Sequence, residues 1–343
     1  MRLHPICPIA ALLALSLPSA FAESPYKLVV FGDSLSDNGN AAAALASVGQ
    51  TLGNYAPNEF TDGPHTNPPT AGPYGLWIDQ FAGLLQTPDP EPFVVFTPSG
   101  KSGGRLSVNP TGTNFAVASA LAGNNPNFSP ANFLTPGYTQ VPGTTNQVEL
   151  YLSFNDKKAS PQDLYVFWAG SNNIYQSLSN ESSFKDLPGI AIDAADDIAG
   201  NIATLAKAGA KYFLWLNLPP VGEVPYIEDN PSAVIRNLGK EAADGAALAF
   251  NAELISDVYA LRNKYGIELI VVNTNSLFNA IIGDPKCYGF ANVKDAGWCG
   301  TDGLSTCAED NPNGFLFWDE LHPTTSANEI LAKWAYSNVA GKF

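Results

Sequence analysis

The sequence predicts an α/β protein, a three-layer sandwich in which a mainly parallel sheet lies between helices. Three observations predict it: short runs rich in β-branched and aromatic residues recur along the chain, helical periodicities separate them, and those helices are long enough to act as right-handed crossovers between parallel neighbours. The strand signals come in order at residues 27–31 (KLVVF), 113–117 (TNFAV), 164–168 (LYVFW), 211–218 (KYFLWLNL) and 267–273 (IELIVVN). Between the third and fourth, Ile190, Ala194, Ile198, Ile202 and Leu205 recur at helical spacing after Pro188 and stop at Gly209, a residue suited to a C-terminal cap. A second periodic stretch runs from about residue 233 to 265, with Ala247, Phe250, Leu254 and Val258 among its apolar positions, and feeds the fifth strand. A last helix is expected over 326–339.

Residues 1–22 combine one basic residue, Arg2, with an apolar run at 9–17 and end in Ala20-Phe21-Ala22, the pattern of a secretory signal cleaved after Ala22. That run is far short of the ~20 residues a membrane-spanning helix needs. The expectation is a signal peptide over 1–22, one domain over 23–343, and a secreted or periplasmic protein without stable membrane insertion. The Pro-rich tracts at 88–98 and 110–143 are expected as long surface loops. With 17 basic against 32 acidic residues, a net charge of −15, nucleic acid and anionic bilayers are poor partners. Cys7 leaves with the signal, and Cys287, Cys299 and Cys307 cluster near the C-terminus, where an oxidising compartment lets two of them pair. Three pairings are open; the favoured one joins Cys299 to Cys307 and leaves Cys287 over. A metal site is the rival reading, weakened because no histidine lies among them and no C-x-x-C spacing occurs.

The first strand ends abruptly in Gly32-Asp33-Ser34, at the carboxyl end where parallel sheets present side chains to ligands. By itself this is also an ordinary turn. A serine nucleophile needs an adjacent base, usually a histidine oriented by a third group. Of the three histidines, His4 leaves with the signal, so the base is His65 or His322. His322 follows Asp319 by three residues, close enough for the carboxylate to accept the ring Nδ1 hydrogen and leave Nε2 facing a serine. His65 sits in a Pro- and Gly-rich loop and is read as solvent-facing or at a pocket rim. Donors for a developing oxyanion are sought at the other strand ends: Asn172 in the glycine turn after residue 168, and backbone N–H groups among the small residues at 116–120.

Taken in order, FGDSLSDNGN (31–40), NFAVASA (114–120), WAGSNNIY (168–175) and FWDELHPT (317–324) resemble the first, second, third and fifth blocks of the GDSL lipases and esterases, also called SGNH hydrolases. LNLPPVGEVP (216–225) is similar to the family's LPP-x-G segment, and YGFANV (288–293) to the stretch leading to its last block. The resemblance covers nearly all of the chain after residue 22 and implies a flavodoxin-like α/β/α fold and hydrolysis of carboxylic esters through an acyl-serine, with no metal or organic cofactor. It makes Ser34 the nucleophile, His322 the general base and then acid, and Asp319 the group that orients His322. The oxyanion donors it implies are the Asn172 side chain and the backbone N–H groups of Ser34 and Ser119. Ser119 stands where the family usually has glycine, and Asn173 where it commonly has aspartate; Asp33, Asp37 and Asn38 are left to the turn. Within this reading the substrate is a small-molecule, lipid or carbohydrate ester. An interfacial lipase or phospholipase and a carbohydrate acetyl esterase, with Trp77 or Tyr74 lining a sugar subsite, are the alternatives, though Trp77 is read first as a core residue, and a silent binding protein of the same fold is the non-enzymatic one.

Overall fold

The computed structural model describes residues 27–53, 55, 58–62, 75–99, 103–178, 181–297 and 314–342. Among these, the strands in chain order are β1 (Leu28–Gly32), β2 (Val94–Pro98), β3 (Gly104–Val108), β4 (Leu164–Trp168), β5 (Tyr212–Leu216), β6 (Glu268–Val272), β7 (Asn292–Ala296) and β8 (Phe315–Phe317). The main helices are α1 (Asn40–Ala46), α2 (Trp77–Leu85), α3 (Thr144–Phe154), α4 (Ser171–Leu178), α5 (Leu187–Ala208), α6 (Lys240–Tyr265), α7 (Thr274–Gly283) and α8 (Thr325–Val339).

The central sheet has the order β1-β4-β5-β6 with every pair parallel, registered through Val30 on Val166, Val166 on Leu214 and Leu214 on Ile270. Every residue of β1 and β4 is buried, as expected of strands covered on both faces. The predicted second strand lies along the free edge of β1, where Val30 donates to the Thr113 carbonyl at 2.9 Å and receives the Phe115 N–H at 2.8 Å. The Val117 N–H also reaches the Gly32 carbonyl at 3.2 Å, but the pairing stays an isolated bridge at Asn114 because the Gly32 N–H goes to the Gln147 side chain instead. The chain therefore lays its first strand between its second and third. Their connections leave β1 in opposite directions, which opens a crevice at the carboxyl end of β1.

Phe31 on β1 stacks on Phe167 of β4 at 5.0 Å between ring centroids and on Phe115 at 5.7 Å. Full burial of each such ring contributes about 1.5–3 kcal/mol. Gly32 is required by the same close packing, since a Cβ there would sit 2.5 Å from the Trp168 carbonyl oxygen. The helix at 187–208 ends at Gly209 with φ 122°, as its sequence predicts. The long helix α6 is preceded by a π-helical turn at Ile235–Gly239 and closes on left-handed Gly266. No helix among the described residues is long and apolar enough to cross a membrane.

Two expectations need correction. Residues 94–98, read as part of a Pro-rich loop, form β2 and pair antiparallel with β3, Phe96 opposite Leu106. Pro88, Pro90 and Pro92 mask the strand signal that follows them, and Pro98 is tolerated because it closes the strand. Cys287, the cysteine left over in the favoured pairing, is disulfide-bonded, so it is not the unpaired one; Cys299 and Cys307 lie outside the described residues.

Candidate active site

The site grows from the turn that follows β1. Leu35 donates its N–H to Asp33 Oδ1 at 3.0 Å and Ser36 its N–H to the Asp33 carbonyl at 3.1 Å, so Asp33 shapes the turn as expected. Asp37 gathers more of the chain. Its carboxylate accepts N–H groups from Gly39 (3.0 Å), Asn40 (2.7 Å) and Ala41 (3.1 Å) at the start of α1, and from Ala118 (2.9 Å) in the second block. Gln147 of α3 clamps the peptide of Gly32 from the other side, accepting its N–H and donating to its carbonyl, both at 2.9 Å. Ser34 is thus held on a turn whose neighbours have little freedom.

Replacing Asp37 by alanine should lower stability by about 3 kcal/mol or more, because buried N–H groups lose their acceptor at roughly 1–3 kcal/mol each. A urea midpoint unchanged from the wild type would contradict this role.

His322 reaches the turn from 288 residues away, its Nε2 at 2.8 Å from Ser34 Oγ. Its Nδ1 lies 2.7 Å from Asp319 Oδ2. Asp319 Oδ1 is taken by two backbone N–H groups of its own turn, Leu321 at 2.7 Å and His322 at 2.6 Å. The local sequence explains this geometry: an aspartate followed two and three residues later by free N–H groups forms an Asx-type turn, and Pro323 then steers the chain into α8, capped by Thr324. Tyr55 donates its hydroxyl to Asp319 Oδ2 at 2.5 Å.

Both Asp319 and His322 are buried. Burial would raise the Asp319 carboxyl, but the charge and hydrogen bonds of His322, with the bond from Tyr55, hold it at about 2. For His322, burial works to lower the pKa, and Asp319, with a smaller contribution from Asp33, more than offsets it, so the net direction is up. Asp33 is pushed up to about 7 by burial, which outweighs the Leu35 N–H and the His322 charge. Asp37 is likewise pushed up to about 6.

Asn172 opens α4 and lines the same cleft as Ser34 and His322. One hydrogen of its amide goes to the Ala120 carbonyl at 3.0 Å. The other is available to a ligand in the cleft. Asn173 beside it holds both sides of the Ala122 peptide, accepting the N–H at 3.0 Å and donating to the carbonyl at 3.3 Å. An ionised aspartate could make only the first of these bonds.

Ser119 is exposed and is not among the residues that line the cleft, and its N–H finds no acceptor among the described residues. Its φ of 65° is the left-handed conformation, which costs a residue with a Cβ about 1–2 kcal/mol and which glycine adopts freely. The structure thus brings Ser34, His322, Asp319 and Asn172 to one place and leaves Ser119 beside it. His65 and Tyr74 lie outside the described residues. Trp77 is fully buried, its indole N–H on Ser36 Oγ at 3.1 Å, and lines no sugar subsite.

The cleft encloses about 570 Å³, counting the space open to solvent at its mouth. Its walls are mostly apolar: Pro219, Pro220 and Val224 after β5, Phe278 and Ile282 of α7, and Leu321 beside the histidine. Tyr55 and Gln147 were not legible as site residues in advance. Tyr55 and Asp319 are 264 positions apart, and Gln147 and Gly32 are 115 apart, with no motif linking either pair.

Residues 28–335 match the family model described as GDSL-like Lipase/Acylhydrolase. An uncharacterised protein of the trpE-trpG intergenic region of Pseudomonas putida is 28% identical over 95% of this chain and 51% of its own length. Two Arabidopsis thaliana proteins, a GDSL esterase/lipase and GDSL esterase/lipase 6, are each 28% identical, over 90% and 95% of this chain and 84% and 91% of their own lengths. Against several relatives the match is shorter: it spans about half of the Pseudomonas protein and 40% and 48% of two further Arabidopsis GDSL esterases/lipases.

Proposed function

The chain belongs to the GDSL-like lipase/acylhydrolase family, and from that premise we propose that it hydrolyses carboxylic esters through an acyl-enzyme intermediate on Ser34. The observation that carries this reading is the continuous line Ser34 Oγ, His322 Nε2, His322 Nδ1, Asp319 Oδ2, with contacts of 2.8 and 2.7 Å, opening on an apolar cleft.

Ser34 Oγ attacks the ester carbonyl while its proton passes to His322 Nε2. The negative charge moves to the carbonyl oxygen, where the Ser34 N–H and the second amide hydrogen of Asn172 stabilise it. Collapse breaks the bond to the alcohol oxygen, which takes the proton from Nε2 and leaves. Water then gives a proton to Nε2 and its oxygen to the acyl carbon, and collapse returns the proton to Ser34 and frees the acid. The Ser119 N–H, which bonds no acceptor among the described residues, is the third donor that the family pattern assigns.

Asn172→Ala should reduce kcat by about 10²–10³ with a nearly unchanged melting temperature, the usual loss for one oxyanion donor. Steady-state kinetics on a p-nitrophenyl ester checks it, and a wild-type kcat removes Asn172 from the set. A rate profile over acyl chains of increasing length, below and above the solubility limit, separates a soluble esterase from an interfacial lipase, whose rate climbs when droplets form. Export fits the leader pattern at 1–22 and the disulfide at Cys287, and the domain is taken as residues 23–343.

A further inference from the structure

We propose that Tyr55 is a positioning residue of the triad: its phenol shares Asp319 Oδ2 with the His322 ring and so sets how strongly the carboxylate holds the imidazolium. This rests on the reading of Ser34, His322 and Asp319 as the working triad.

The carboxylate of Asp319 receives four donors, two on each oxygen. Oδ1 is filled by the Leu321 and His322 backbone N–H groups, so whatever modulates the bond to the ring must act at Oδ2. There the Tyr55 hydroxyl at 2.5 Å meets the ring Nδ1 at 2.7 Å. The Tyr55 ring also stands edge-on to the imidazole, 5.9 Å between centroids at 89°, and Phe60 covers another side at 5.1 Å and 32°.

The residues on either side of Phe60 are anchored. Thr61 Oγ1 donates to the Pro323 carbonyl at 3.2 Å, and Asp62 Oδ1 accepts the Thr325 N–H at 2.7 Å, so the segment is tied to the residues that follow His322. On its other side Glu59 is buried against Asp79 of α2 and receives the Leu76 N–H. Phe60, held between these anchors, packs against the Tyr55 ring at 5.1 Å between centroids.

A carboxylate has a fixed charge to divide among its donors. The more Tyr55 draws, the less remains for the Nδ1 hydrogen, and the imidazolium formed when Ser34 gives up its proton is held less tightly. Burial and the Asp319 charge push the phenol's own ionisation well above its usual range, so it stays a neutral donor. The other charged groups around the ring are Asp33 from the β1 turn and Asp319 on its own segment, with Glu320 facing Tyr55.

The test compares the pH dependence of kcat/KM for wild type, Tyr55→Phe and protein carrying 3-fluorotyrosine at position 55. Removing the hydroxyl should move the acid limb up by about half a unit to one unit, because His322 then holds its proton more firmly. Fluorotyrosine, a stronger donor of nearly the same shape, should move it down. A merely structural role predicts otherwise: a loosened Asp319 lowers the limb in Tyr55→Phe, and fluorotyrosine behaves as wild type. NMR titration of the His322 ring reads the same shift without turnover. Should Tyr55→Phe fail to fold, the fluorotyrosine protein decides by itself. Limbs that do not move in opposite directions overturn the role of Tyr55, whereas wild-type protein that neither turns over esters nor labels at Ser34 overturns the triad reading first.

Discussion

Replacing Ser34 by alanine is expected to remove essentially all turnover of a short p-nitrophenyl ester, a loss on the order of 10⁶ in kcat. The magnitude follows from what Oγ does: without it there is no acyl-enzyme, and His322 can only assist water that lacks the oriented attack. Stability should barely change. Ser34 is half-buried and its hydroxyl bonds to His322 alone among the described residues, so the alanine protein loses one hydrogen bond and leaves no cavity of consequence. A fluorophosphonate probe, which forms a covalent bond to an activated serine, should label the wild type at Ser34 and leave the variant unmarked. A Ser34→Ala protein that keeps most of the wild-type rate ends the proposed mechanism.

Asp319→Asn should cost about 10⁴ in kcat, and the hydrogen bonds around Asp319 say why this nearly isosteric change is severe. Its Oδ1 accepts two backbone N–H groups, so an asparagine must place its carbonyl oxygen there. The amide nitrogen then occupies the Oδ2 position, 2.7 Å from His322 Nδ1, and donates to the ring instead of accepting from it. The imidazole hydrogen is forced onto Nε2, facing Ser34 Oγ with a donor where a base is needed.

The same variant has a pH signature in stability. Asp319 is lowered to about 2 from 3.8, so its contribution is present above the unfolded value and is lost as pH falls through about 2. His322 is raised from 6.5, so its contribution is present below that value and fades as pH rises through its folded pKa. The stability gap between wild type and Asp319→Asn should be widest between about pH 4 and 6.5. Thermal melts across that range, together with kcat, check both halves. A variant with near-normal kcat would remove Asp319 from its role.

The strands illustrate what could be read early. The runs at 164–168 and around 212–216 announce themselves because a strand buried on both faces must be apolar throughout, and that requirement is local. The separate hairpin of β2 and β3 was hidden by neighbouring prolines, and the pairing that makes it a hairpin joins residues six to fourteen positions apart. The histidine was legible by elimination and by its spacing from Asp319, and the turn that results uses only backbone within three residues. Ser119 was assigned through the family pattern, and its left-handed backbone is the conformation that the glycine usual at that position adopts freely.

What the sequence by itself determined is whatever physics acts over a few residues: the buried strands, the glycine-capped helix at 187–208, the Asp319 turn and the glycine exit that presents Ser34. What only the tertiary structure decided is which distant groups meet there. Tyr55 reaches Asp319, Gln147 clamps Gly32 and Asp37 ties the nucleophile turn to the second block, each through contacts between segments with no periodicity in common. Periodicity and turn chemistry are written into neighbouring residues, whereas a hydrogen bond across 264 positions exists only once the sheet and its helices have set the distance.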